Sequence, residues 1–275
     1  MAEITAQAVK QFRARTGLPL MDCKKALQDA GGDEEMAIES LRKGGEKLAL
    51  SRADRETAFG RFGISCGADK PVGAIVELQC ESAPVTQNEE FILLANDLAE
   101  ALANHPVATT EELLALPSPS KDGLTLNEQK QDLFNRIREV FKVGRMARLE
   151  GATGGYSHNA GTISGVLIRF EGDNDDLARD ISMHIAAMRP SVVTVDELDP
   201  ELVAKEREIL TEAVVKEGKP EEIAKKMVEG RLRTGLFAEK VLLQQPYVRE
   251  NKQTIAQICE QNGMKILEFV HWELG

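Results

Sequence analysis

Val72-Gly73-Ala74-Ile75-Val76-Glu77-Leu78 returns later in the chain as Ser164-Gly165-Val166-Leu167-Ile168-Arg169-Phe170, and this pair of runs decides how the sequence is read. Both are short, rich in β-branched residues and bounded by glycine and polar residues, the pattern of buried strands. Each follows a glycine-containing segment, Gly60-Arg61-Phe62-Gly63-Ile64 and Gly155-Tyr156-Ser157-His158, so each reads as the second arm of a hairpin. Each precedes a helical pattern, Phe91 to Leu102 and Leu177 to Met188, that stops at His105-Pro106 and at Arg189-Pro190. The tails agree as well, Thr110-Glu111-Glu112-Leu113 against Val195-Asp196-Glu197-Leu198. Hairpin then helix, twice, marks a duplicated α+β unit.

The copies differ in length. Gly73 to Pro106 is 33 residues and Gly165 to Pro190 is 25, so the first copy carries about eight extra, expected between strand and helix around Cys80 to Glu90. Lengthening a connection costs only about 0.6 kcal/mol per doubling, which makes it a tolerated place to graft function.

Outward from the repeat the chain is helical. Asn127 to Phe141 reads as a helix between the copies, with Leu133, Ile137, Val140 and Phe141 on one face. Pro200 to Lys216 and Pro220 to Arg233 read as two amphipathic helices joined by Glu217-Gly218-Lys219-Pro220, with Leu202, Ile209, Ala213, Ile223, Met227 and Val228 as their seam. Together they form a projecting antiparallel arm inserted at about 198–236. Thr254 to Asn262 reads as a helix and Lys265 to Glu273 as a final strand. At the start, Ile4, Val9 and Phe12, then Leu20, Met21 and Leu27, then Met36, Ile38 and Leu41, suggest three short helices, with Asp22 and Asp33 as N-caps. So small a bundle has a marginal core and suits docking better than catalysis. The run Gly44 to Arg52 reads as a linker with partial helical character.

Composition narrows the function. The chain has 275 residues, 42% hydrophobic and 29% charged, enough for two domains with real cores. Lys plus Arg is 34 and Asp plus Glu 45, a net charge of −11, which makes general phosphate-backbone binding a poor fit and points away from nucleic acid. The four cysteines Cys23, Cys66, Cys80 and Cys259 form no C-x-x-C pair and read as free thiols, and no apolar run approaches a membrane span, so a cytoplasmic protein is expected.

Chemistry is hard to find. No phosphate loop or nucleophile elbow is present. Gly151-Ala152-Thr153-Gly154-Gly155 reads first as a turn and second as a phosphate nest. The segment Glu171 to Asp176 starts like a calcium loop but has Ala178 and His184 where Gly and Glu are needed, so it reads as a turn capping the next helix. His184, spaced with Ile181, Ile185 and Met188, reads as a packed histidine, whereas Tyr156 and His158 lie in a polar turn with no obvious core role. No nucleophile is paired with a base, and neither cofactor nor metal is expected. Against the acidic background one region is basic: Lys10, Arg13 and Arg15, then Leu20-Met21-Asp22-Cys23-Lys24-Lys25, cations around exposed apolar residues as in a partner surface.

These stretches carry a resemblance. Met1 to Ala6, Arg13-Ala14-Arg15-Thr16-Gly17, Met21 to Leu27, Leu149-Glu150-Gly151, Gly155-Tyr156-Ser157-His158, Met183-His184-Ile185-Ala186-Ala187, Gly218 to Arg231 and Gln245-Pro246-Tyr247-Val248 resemble, in order, the bacterial elongation factor Ts family. Members are guanine-nucleotide exchange factors for elongation factor Tu and catalyse no covalent step. The resemblance implies a ubiquitin-associated-like (UBA-like) docking domain at 1–45, a linker at 46–56, and core subdomains at 57–143 and 144–275. It also implies that the arm is a coiled-coil hairpin, used by some members for dimer contacts, so a homodimer through it is expected. Arg13, Leu20, Met21 and Lys24 would then contact the nucleotide-binding domain of elongation factor Tu, and Tyr156 and His158 another domain of it.

At the extended connection the family carries Thr-Asp-Phe-Val, whose Phe wedges beside the partner's magnesium site. Here the residues are Ser82-Ala83-Pro84-Val85: Ser stands for Thr and Val is kept, but Asp is Ala83 and the Phe is Pro84. Proline has no ring quadrupole and cannot fill a phenyl-sized pocket. This leaves two readings, an exchange factor with a smaller Pro84-Val85 wedge, or a chaperone or tether of elongation factor Tu without exchange. A third, an adaptor for ubiquitin-like partners, leaves the repeat unused.

Overall fold

The computed structural model describes residues 4–52, 54–217 and 220–274. Met1 to Glu3 and the Gly218-Lys219 of the arm's turn, both part of the family resemblance, lie outside the described residues. Helices α1 (Ala6–Thr16), α2 (Leu20–Asp29) and α3 (Glu34–Ser51) come first. The Thr5 side chain accepts from the Ala8 N–H at 3.2 Å to start α1, and Gly17, at φ 68°, ends it where a side chain would be strained. Asp33 caps α3 by accepting from the Met36 N–H at 3.0 Å. Asp22 does not cap: α2 starts two residues earlier, after Pro19, and leaves it in the first turn. Val9, Phe12, Cys23, Ala26, Leu27 and Ala37 form the core of this bundle, while Leu20, Met21 and Met36 of the apolar pattern face solvent.

The first hairpin-and-helix copy is β1 (Phe59–Ser65), β2 (Val72–Cys80), a 3₁₀ turn at Ala83–Gln87 and α4 (Glu89–Asn104). Next come α5 (Thr110–Ala115), α6 (Leu126–Ile137) and β3 (Lys142–Glu150), the last adding to a sheet of order β1-β2-β3. Helix α6 stops before Val140 and Phe141 because Arg138 takes the left-handed conformation at φ 66°; both residues are buried all the same. Strand β3 has no clean alternation in its sequence, since Lys142, Arg145 and Arg148 interrupt it. Arg145 instead pairs with the buried Glu77 at 2.6 Å and lies over the Phe62 ring. Burial alone would raise the Glu77 carboxyl, but Arg145 and Gln79 outweigh it and hold it below the usual range.

The stretch expected as linker is helical through Ser51. Gly45 is buried, and a Cβ there would sit 1.8 Å from Asn135 Oδ1, so this glycine allows α3 to approach α6 closely.

The second copy is β4 (Thr153–His158), β5 (Ile163–Glu171) and α7 (Asp175–Met188). Strands β4 and β5 are antiparallel, Thr153 opposite Arg169 and His158 opposite Ser164. The arm comes next as α8 (Pro200–Lys216) and α9 (Glu221–Leu232), then a π turn at Arg233–Phe237 and α10 (Ala238–Lys240). Then come β6 (Pro246–Tyr247), β7 (Glu250–Thr254), α11 (Ile255–Gln261) and β8 (Lys265–Leu274), which completes the sheet β4-β5-β8. The matching tails are two capping boxes, Thr109 with Glu112 and Thr194 with Glu197. Between strand and helix the copies hold eight residues (81–88) and three (172–174), so five of the surplus lie there; the strands are equal at nine residues, and α4 is two residues longer than α7.

On α8 the arm's seam is rotated from the expected one, while Met227 and Val228 of α9 pack in it as expected. Leu210, Val214, Ala224, Met227, Val228 and Leu232 pack together with Leu236 and Phe237, while Leu202, Ile209, Ala213 and Ile223 are exposed. Moving from Ile209 to Leu210 turns the buried stripe by about 100° around the helix.

By contacts the chain divides into two compact units, residues 1–63, 76–146 and 274–275 in one and 64–75 with 147–273 in the other. Each holds a copy of the same device. A Cβ on Gly63 would lie 1.8 Å from the Ala95 carbonyl oxygen of α4, and a Cβ on Gly154 would lie 2.5 Å from the Ala178 Cβ of α7. Alanine at either position must push strand from helix. Gly63→Ala is expected to destabilise by about 2–3 kcal/mol and Gly154→Ala by about 1–2 kcal/mol, read from urea unfolding midpoints.

His184 is the packed histidine that its spacing suggests. It is fully buried, donates from Nε2 to Gln245 Oε1 at 2.9 Å and accepts at Nδ1 from the Val248 N–H at 3.2 Å, while Gln245 donates to the Glu239 carbonyl at 3.0 Å. Burial holds its pKa below 6.5, and burial does the same to His271. Above the ordinary histidine range both states are neutral; below it the unfolded chain takes protons that the folded chain refuses. Stability is therefore full above about pH 6.5 and falls toward pH 5.5 by up to about 1.4 kcal/mol per pH unit and histidine. Thermal unfolding across that range should show this slope, and His184→Gln should flatten it.

Candidate functional site

The connection after β2 is a supported turn with an exposed tip. Ala83 and Pro84 face solvent, whereas Val85 is only 8% exposed and holds the 3₁₀ turn down, so it is not presented with them. Ser82 is gripped from one side by Glu139: its N–H donates to Oε2 at 3.0 Å and its hydroxyl to Oε1 at 2.6 Å. Glu81 reciprocates, accepting from the Val140 N–H at 2.8 Å and from Arg55 at 3.0 Å. Within the turn the Cys80 thiol donates to the Ser82 carbonyl at 3.3 Å, Thr86 Oγ1 to the Ala83 carbonyl at 2.7 Å, and Arg61 to the Thr86 carbonyl at 3.1 Å. Burial and the neighbouring Glu139 charge push the Cys80 thiol up to about 12, so it stays a protonated donor and no nucleophile. The sequence offered no sign of Glu139, Glu81 or Arg55 as parts of this site, because a grip between segments 57 residues apart leaves no local pattern.

On the N-terminal bundle, Leu20 and Met21 begin α2 and are 48% and 70% exposed, and Arg13 and Lys24 are exposed too. The Cys23, Ala26 and Leu27 side of the same helix is buried, which turns Leu20, Met21 and Lys24 outward. An apolar pair of this size, flanked by cations, can bind a surface with an acidic rim.

In the second unit Tyr156 and His158 share one face of β4. The Tyr156 Oη lies 2.9 Å from His158 Nδ1, and the ring centroids are 5.9 Å apart. They line a cleft of about 350 Å³ with Met183, Ala186 and Ala187 of α7 and with Val248. Its rim is the pair Arg249–Asp180 at 2.6 Å, where Asp180 also accepts from Tyr247 Oη at 3.3 Å. Segments singled out separately in the sequence, around Tyr156, Met183 and Val248, thus converge on one concave surface.

The other chemical candidates resolve into structure. Asn174 accepts from the Leu177 N–H at 3.0 Å to cap α7, and Asp175 accepts from the Ala68 N–H at 2.7 Å. Gly151 donates to the Pro71 carbonyl at 2.7 Å in a turn with φ 112°. Among the described residues no group of three or more His, Cys, Asp or Glu is placed to hold a metal ion, and no helix is long and apolar enough to cross a membrane.

Comparison with known proteins agrees with the resemblance. Residues 83–275 match the family model described as elongation factor TS. The elongation factor Ts of Thioalkalivibrio sulfidiphilus is 40% identical over 99% of this chain and 92% of its own length. That of Herminiimonas arsenicoxydans is 41% identical over 100% and 92%, and that of Corynebacterium urealyticum 38% identical over 100% and 99%. Similarity of this extent makes the chain a member of the elongation factor Ts family of translation elongation factors.

Proposed function

We propose that this protein binds elongation factor Tu carrying GDP and accelerates GDP release by stabilising the nucleotide-free state and disturbing the magnesium and phosphate site. The observation that carries this reading is the firmly held turn that exposes Ala83 and Pro84 where the family places its wedge. Linkage supplies the mechanism: a factor that binds nucleotide-free partner more tightly weakens nucleotide binding by the same ratio. Leu20 and Met21, with Arg13 and Lys24, dock on the nucleotide-binding domain, and the Tyr156-His158 cleft receives another part of the partner. The N-terminal bundle serves as a UBA-like docking domain and the two hairpin-and-helix copies as core subdomains. The protein works in the cytoplasm, without cofactor, nucleic acid or membrane.

A second reading rests on Pro84 itself. With a compact ring in place of a phenyl wedge, the protein would bind elongation factor Tu as a chaperone or tether without exchange. Stopped-flow release of fluorescent GDP from the cognate partner separates the two: acceleration supports exchange, and a stable complex with no acceleration supports the tether. Pro84→Phe should leave release equal or faster. Leu20→Ala and Met21→Ala should each raise the half-saturating concentration about tenfold while leaving stability within about 0.5 kcal/mol, since both side chains are exposed.

The arm's outer stripe of Leu202, Ile209 and Ala213 supports a homodimer through the arm, here as a coiled-coil hairpin. Light scattering should find a dimer that Ile209→Glu converts to monomer; an unchanged mass would remove the arm from the interface.

A further inference from the structure

The exposed tip is only as well aimed as the residue before it. Ser82 is extended, at φ −130° and ψ 148°, and is the point from which the 3₁₀ turn of Ala83–Gln87 departs. One carboxylate uses both oxygens on this residue, one on its N–H and one on its hydroxyl. A two-point contact fixes orientation where a single hydrogen bond would leave a hinge, and bonds to a charged acceptor are about twice as strong as neutral ones. Glu139 is not free to move with the turn. It directly precedes Val140, whose own N–H is held by Glu81 and whose side chain is buried. Residues 81–82 and 139–140 are thus clasped in both directions, and Arg52 adds a bond to the Arg138 carbonyl at 2.7 Å. Pro84 brings a fixed φ and no N–H of its own, so once Ser82 is set the tip has little freedom left.

We propose that Glu139 is the positioning residue of this loop: by gripping Ser82 through both carboxylate oxygens it fixes the direction in which Ala83 and Pro84 meet the partner, and so sets the maximal rate of nucleotide release rather than the affinity of the complex. This rests on the exchange reading above. Docking energy resides in exposed side chains such as Leu20 and Met21, whereas the tip acts only when the nucleotide site is being opened. Loosening its aim therefore lowers the rate at saturation.

The test is stopped-flow release of fluorescent GDP from cognate elongation factor Tu, titrated with wild type and with Glu139→Gln. The amide of glutamine offers one acceptor oxygen and turns a donor toward the second Ser82 donor. The plateau rate should fall about tenfold, the size expected for one charge-assisted hydrogen bond, with the half-saturating concentration unchanged. A purely structural role moves the other parameter: partial unfolding lowers the active concentration, so half-saturation rises and the plateau stays. That outcome, or no change at all, overturns the proposal while leaving the exchange reading intact. No acceleration by wild type would remove the exchange reading and this role together. Should Glu139→Gln fail to fold, Ser82→Ala removes only the hydroxyl contact and should lower the plateau by a smaller factor in the same way. Amide hydrogen exchange reports the grip directly: Ser82 should be protected in wild type and exchange faster in Glu139→Gln, and an unprotected wild-type amide would contradict the clasp.

Discussion

Strand backbone rests on helix backbone at Gly63 and on nothing larger than the Ala178 methyl at Gly154. That closeness governs the rest of each copy. A hairpin seated so tightly on its helix leaves no freedom in where the helix begins, so the connection between them is held at both ends. In the second copy three residues suffice, and Asn174 spends its side chain on capping α7. In the first, eight residues must go somewhere, and they form a surface turn pinned at its base by buried Val85 and by the carboxylates of Glu81 and Glu139. A core packing constraint thereby produces a presented tip.

The electrostatics suit a protein that works by contact. Its titratable core groups are held in unreactive states: His184 neutral between Gln245 and Val248, the Cys80 thiol protonated, Glu77 charged beside Arg145. The side chains that face outward are apolar with charged neighbours, at Leu20 and Met21 and around Tyr156 and His158. Under the proposed exchange reading, such surfaces trade binding free energy between partner states, and an exchange factor needs no more than that.

Much of the fold was legible because it repeats. Two hairpins, two succeeding helices and two matching tails appear at corresponding positions, and periodicity locates the strands and helices among them. The misreadings share a cause. Gly44-Gly45 looked flexible because glycine is usually read as freedom, while Gly45 is small so that Asn135 can fit against it. Strand β3 went unread because its charges break the alternation, which tolerates them through the Arg145–Glu77 pair. The arm was placed and its α9 seam at Met227 and Val228 holds, but on α8 the seam was one residue out of phase, since two apolar stripes compete there and packing on Ala224, Val228, Leu236 and Phe237 selects between them.

The sequence by itself determined the duplicated α+β units, the helical arm and the family, since these depend on residue order and on periods that neighbouring residues carry. Only the tertiary structure decided which apolar residues are exposed, that Tyr156, Met183 and Val248 share a cleft, and that Glu139 holds Ser82. Those facts depend on which distant segments meet, and a contact across 57 residues leaves no periodic trace in the chain that makes it.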